Sequence, residues 1–275
     1  MVAANRSKTA DKQEVCRKVT LLLKKAYGTT SPKQELPVLE TLLYAICLEN
    51  SVPELAEKVY AKLLNAFHDL NEVRVSSIAE LSPVFSDQSD PEWRAARTKA
   101  VLQHVFETNY AFEFESLRRK TAELAVKQLA KIPQISSFVR AYVMQHCLGS
   151  HVLPIDDKMH AALAWLGLAE RDQTPEQTSE HLRSHVRKAD APLFCHLLGC
   201  VANDSKRSRA FASGGGKGED AGHDPVDRLE QLLERGEVRA PKPKAQKPAA
   251  PPARREVKSK SRSSSSSSSN SKKRH

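Results

Sequence analysis

Two patterns are missing from this chain of 275 residues. Nowhere do apolar and polar residues alternate between turn signals, which excludes a fold built mainly of strands. No stretch reaches the roughly 18 apolar residues a membrane-spanning helix needs, and the N-terminus MVAANRSKTADKQEVCRK lacks a signal-peptide core. A soluble, cytoplasmic protein without membrane contact is expected, nucleoid-associated if bacterial. Cysteine is scarce: Cys16, Cys47, Cys147, Cys195 and Cys200 form an odd, unclustered set, which fits reduced thiols in a core and no disulfide framework. Glycines supply no phosphate-cradling P-loop, no strand-linked dinucleotide motif and no nucleophile elbow. Nucleotide-driven and serine-hydrolase chemistries are thereby set aside.

What is present is helical periodicity. Apolar residues recur at three- and four-residue intervals from Val15 to Val201, so the fold class is all-α. A first helix is expected over Asp11–Tyr27, with Val15, Val19, Leu22 and Leu23 on one face and Gly28 as its stop. Leu36–Leu48 is apolar nearly all round and reads as a central buried helix. Further helices are expected near Val52–Phe67, Pro91–Thr108, Phe114–Ala130, Ser137–Leu148, Asp157–Leu166, Pro175–Lys188 and Ala191–Ala202.

The chain divides by composition. Residues 1–10 are expected to be a flexible N-terminus and 11–202 a single helical domain. Residues 203–223, with Gly214 to Gly216 in succession, read as a flexible linker. Over 224–236, Asp224-Pro225 starts and Gly236 stops a short amphipathic helix with Val226, Leu229, Leu232 and Leu233 as its apolar stripe. So short a helix is marginal alone, and it either docks a partner or packs back onto the domain. Residues 237–275 are Lys, Pro, Ala and Ser rich and expected to be disordered. From Val238 onward there are twelve Lys or Arg against Glu256, a net of +11, so the formal +10 of the whole leaves −1 for the remainder. The tail is either a non-specific phosphate binder or a solubilising segment.

Chemistry concentrates in KIPQISSFVRAYVMQHCLGSHVLPIDDKMHAALAWLG, from Lys131 to Gly167. The stretch resembles the helix-hairpin-helix DNA glycosylase superfamily typified by endonuclease III, whose hairpin reads roughly Leu-Pro-Gly-Val-Gly-x-Lys-Thr-Ala and is followed by Val-Asp-x-His. Ile132-Pro133-Gln134-Ile135-Ser136 occupies the Leu-Pro-Gly-Val-Gly positions without a gap. Phe138 takes the place of the lysine nucleophile, and Ile155-Asp156 matches the Val-Asp pair. The resemblance spans about Leu36 to Ala202, and upstream it rests mainly on helix pattern. It implies a two-lobed all-α domain with its hairpin over 131–148. The four closely spaced cysteines that hold an iron-sulfur cluster in many relatives have no counterpart after Cys200, so no cofactor is expected.

The resemblance also implies roles. Asp156 is the candidate catalytic carboxylate, which would stabilise an oxocarbenium-like sugar or activate water as the base leaves. Read from residues alone, Asp156 also serves as an N-cap for the helix that follows, and both roles can hold. Gln134 and Ser136 stand where glycines would bring backbone amides to a DNA phosphate, and Ser136 or Ser137 can cap the next helix. Lys158 falls on the family's His position, where it reads as a solvated or phosphate-facing lysine, with substitution for the missing amine as the alternative. Glu49, or Asn50 beside it, falls near the glutamine that family members set beside the flipped base, and Ala161 stands where an arginine is frequent. No Schiff base can form at Phe138, so lyase activity is not expected.

His181 and His185 share a helical face but lack an evident third ligand, and Cys195, His196 and Cys200 read as packing, so no metal is expected. The expectation is a monomeric protein acting on double-stranded DNA as a monofunctional glycosylase. The alternative is a catalytically inactive DNA-binding member of the same fold.

Overall fold

A computed structural model describes residues 2–29, 35–212 and 224–235. Among them all regular structure is helical: α1 (Val2–Tyr27), α2 (Val38–Leu48), α3 (Pro53–Ala66), α4 (Leu70–Val75), α5 (Ile78–Leu81), α6 (Pro91–Asn109), α7 (Ala122–Leu129), α8 (Ser137–Leu148), α9 (Asp157–Trp165), α10 (Pro175–Arg183), α11 (Ala191–Asn203), α12 (Ser208–Ala212) and α13 (Pro225–Arg235). Short 3-10 turns cover Ser82–Phe85 and Glu115–Arg119. The linker beyond Ala212 and the whole 237–275 tail lie outside the described residues.

The central helix is α2. It is buried on every side because no polar face interrupts VLETLLYAICL, and α3, α6 and α8 pack around it. Complete burial of Leu42, Leu43 and Ile46 contributes roughly 1.5–3 kcal/mol per side chain. This lobe runs from α2 to α8. The other gathers α9, α11 and α12 with α1 and α13 from the two ends of the chain.

Several boundaries differ from expectation for local reasons. Helical backbone runs back to Val2 through residues expected to be flexible, since no Gly or Pro interrupts it. The helix expected over Phe114–Ala130 is split, because Thr121 turns extended and caps α7 through Leu124 N. Residues 68–90 hold α4 and α5, which are too short to show periodicity. Each carries a cap: Asp69 accepts from Glu72 N, and Ser77 and Glu80 form a reciprocal capping box. The expected linker contains α12, anchored by buried Phe211.

The amphipathic segment packs back onto the domain. Leu229 and Leu233 of α13 are buried. The Arg228 guanidinium lies over the Trp165 ring and donates to the Trp165 carbonyl, while Arg207 donates to the Leu233 carbonyl at 3.3 Å.

Candidate active site

Asp156 ends the buried segment Leu153–Ile155 and opens α9. Oδ1 accepts from Met159 N at 2.8 Å, the N-cap bond, and Oδ2 accepts from Asn50 N at 2.8 Å. The side chain is only 4 % exposed. Burial pushes its pKa from 3.8 up to about 6, with the two N–H donors pulling it down and the charges of Glu49 and Asp157 pushing it up. Such a carboxylate is mostly ionised at neutral pH and still basic enough to draw a proton from water.

Asn50 follows the end of α2 with φ of 54°, in the left-handed region that asparagine tolerates better than most residues. That turn directs its N–H at Asp156. Its other groups hold Lys158: Oδ1 accepts from Lys158 N at 3.3 Å and the carbonyl from Lys158 Nζ at 3.0 Å. Asn50, Asp156 and Lys158 are therefore one constellation, with the Lys158 side chain at the surface.

Glu49 sits at the C-terminal end of α2. Its carboxylate turns inward, is buried, and pairs with Arg97 of α6. Arg94 donates to the carbonyls of Ile46, Glu49 (2.7 Å) and Ser89 (2.9 Å). Burial raises the Glu49 pKa, opposed chiefly by the Arg97 charge, and the Ser136 hydroxyl bonds the same carboxylate. The physical reason is that two buried guanidiniums on one face of α6 need a counter-charge. Arg94 and Arg97 were not singled out in the sequence, where their three-residue spacing is the only signal.

The connection from α7 to α8 carries the remaining residues. Gln134 is exposed with φ of 59°, a backbone state suited to the glycine that the pattern places there. Ser136 caps α8, its Oγ accepting from Val139 N at 3.1 Å, and Ser137 is the first residue of that helix.

A narrow cleft with a free volume of about 50 Å³ lies between the lobes. Asp156 and Met159 line it from α9, Tyr44 from α2, and Phe138, Tyr142, Gln145 and His146 from α8. Tyr44, Tyr142 and His146 were missed in sequence, although 142 and 146 follow Phe138 at the four-residue spacing of one helix face. Tyr142 and His146 stack at 4.1 Å, and burial lowers the His146 pKa to about 4, so its ring is neutral at physiological pH. Elsewhere, His181 Nε2 faces Lys12 Nζ at 3.4 Å, an ammonium on the nitrogen a metal would need. All five cysteines are buried free thiols.

No protein-family profile and no curated protein matches this sequence. Solved structures do. Endonuclease III in a trapped covalent complex with DNA superposes with a TM-score of 0.53 at 15% identity, over 68% of this chain and 84% of the other. A thermostable thymine-DNA glycosylase gives 0.52 at 14% identity, over 70% and 87%. The H. pylori 3-methyladenine DNA glycosylase MagIII, bound to an ethenoadenine, gives 0.51 at 16% identity, over 72% and 98%. The chain therefore has the endonuclease III-like DNA glycosylase fold.

Proposed function

We propose that this chain, having the fold of endonuclease III-like glycosylases, hydrolyses the N-glycosidic bond of a damaged or mismatched base in double-stranded DNA, without lyase activity. One observation supports the reading above others: the Asp156 carboxylate lies at an aromatic-walled cleft between the lobes, held through both oxygens by Asn50 and Met159 backbone amides. A nucleotide rotated out of the duplex would bring its sugar to that carboxylate. Asp156 would then stabilise the positive charge that grows on the sugar as the base leaves, and take a proton from the attacking water. Phe138 fills the place where an amine would attack, so water is the nucleophile.

DNA would be held by the α7–α8 connection. There Ser137 and the first amides of α8 would meet a phosphate, with Gln134 and Ser136 shaping the connection and Asn50 and Lys158 contributing from beside Asp156. We place the protein in the cytoplasm as a monomer, with the 237–275 tail adding salt-sensitive, sequence-independent attraction. Deleting that tail should weaken duplex binding at low salt and flatten its salt dependence, and unchanged affinity rejects the role.

The second reading keeps the scaffold and DNA binding without base removal. It is favoured by Gln134 and Ser136 in place of glycines. Incubation with duplexes carrying a panel of damaged and mismatched bases, followed by alkali, separates the two. Strand breaks that depend on Asp156 support the glycosylase, and their absence across the panel supports the inactive reading. Borohydride trapping of a covalent complex would overturn the assignment of water as nucleophile.

A further inference from the structure

The charge of the body is unevenly placed. Residues 1–237 carry a net of −1, yet two short segments within them are strongly basic. Over 12–25, five Lys or Arg stand against Glu14 alone, a net of +4. Over 181–190, Arg183, Arg187 and Lys188 stand against Asp190, a net of +2, with His181 and His185 besides. The fold sets these segments face to face. One wall of a groove with a free volume of about 240 Å³ comes from α1, and the other from the connection between α10 and α11.

The fold does not use up these cations. Lys12 Nζ meets His181 Nε2 at 3.4 Å and the His185 ring stacks on His181 at 5.9 Å, so an ammonium and two imidazoles gather at one end of the groove. Lys24 lines the groove, and among the described residues no carboxylate pairs with it. Arg17 and Arg187 do pair, with Glu14 and Asp190 three residues away, but their side chains are 60% and 74% exposed. Exposed pairs of this kind are weak and yield readily to another anion.

The lining also says what kind of anion fits. Cys16 and Val186 are buried, so Leu21 is the one apolar side chain of the groove with a large exposed surface. A peptide seeking side-chain pockets finds little to grip. A phosphodiester backbone needs only positive charge and hydrogen-bond donors, which Arg17, Lys24, Arg187 and Thr20 supply. The chain's own 237–275 tail is excluded as occupant by its like charge.

We infer that the groove between α1 and the α10–α11 connection is a second nucleic-acid site, which holds a phosphodiester backbone by charge without reading sequence. It shares no residue with the Asp156 cleft, so it stands or falls apart from the glycosylase reading.

The test uses the full chain with an undamaged duplex as probe. Lysine acetylation read by mass spectrometry should show Lys12 and Lys24 shielded by the duplex, while the exposed Lys58 of α3 is labelled alike with and without it. Fluorescence anisotropy over a salt series should give Lys24→Gln combined with Arg187→Gln a slope of log affinity against log salt shallower by about two, roughly one for each cation removed. Lys58→Gln should keep the wild-type slope, and the tail acts equally in every variant. Lys24 labelled alike with and without duplex, or an unchanged slope in the double variant, overturns the site. Shielding of Lys24 by polyglutamate as strong as by the duplex also overturns it, since the groove would then fit an acidic protein. Neither result bears on base release at Asp156.

Discussion

The backbone N–H of Asn50 donates to Asp156 Oδ2 at 2.8 Å, tying the end of α2 to the start of α9. One lobe thus sets the carboxylate that the other lobe supplies. The left-handed turn at Asn50 makes the bond possible, and the Glu49 ion pair holds that turn from below.

The pH dependence of base release should show an acid limb centred at about 6, because only ionised Asp156 can stabilise the sugar cation. Stability should move the other way. The folded pKa is raised above 3.8, so protonation favours the fold; this stabilisation is full below that value and is lost as pH rises through about 6. Melting temperatures of wild type measured against Asp156→Asn should therefore fall across this window. A difference that is flat with pH would contradict the buried carboxylate.

Gln134→Gly should stabilise the fold by about 1 kcal/mol, since a left-handed backbone costs a non-glycine residue roughly that much. Urea denaturation reads this directly. Unchanged or lowered stability would mean that the exposed Gln134 side chain compensates for its own turn.

Arg97→Ala should cost about 3–5 kcal/mol, because Glu49 would stay buried without its closest counter-charge. Adding Glu49→Gln should recover much of the loss. If the double variant is no more stable than the single, the cluster is held by packing and not by charge.

Leu229→Ala should cost roughly 2 kcal/mol or more if α13 is part of the cooperative fold, because its side chain is completely buried. A loss well under this in thermal or urea unfolding would show that α13 opens independently of the domain.

The helical class, the central place of α2 and the position of Asp156 were legible in the sequence because each rests on local pattern: periodicity, an all-apolar run, and fixed spacing from Phe138 to Asp156. The cleft was not. Its walls come from α2, α8, α9 and α11, far apart in the chain, and Arg94 and Arg97 became readable as partners of Glu49 only once α6 lay against α2. The inward turn of the Glu49 side chain was not legible, because position alone cannot say which way a side chain at a helix end turns. The short helices α4, α5 and α12 escaped for a simpler reason, being too brief to repeat an apolar face.

The most direct measurement is the rate of base release, revealed by alkali, from lesion-bearing duplexes by wild type and by Asp156→Asn at neutral pH. Loss of the ionised carboxylate should slow release at least about a hundredfold, while duplex affinity changes little. Equal release by the two proteins would contradict the assignment of Asp156 and with it the account of the site.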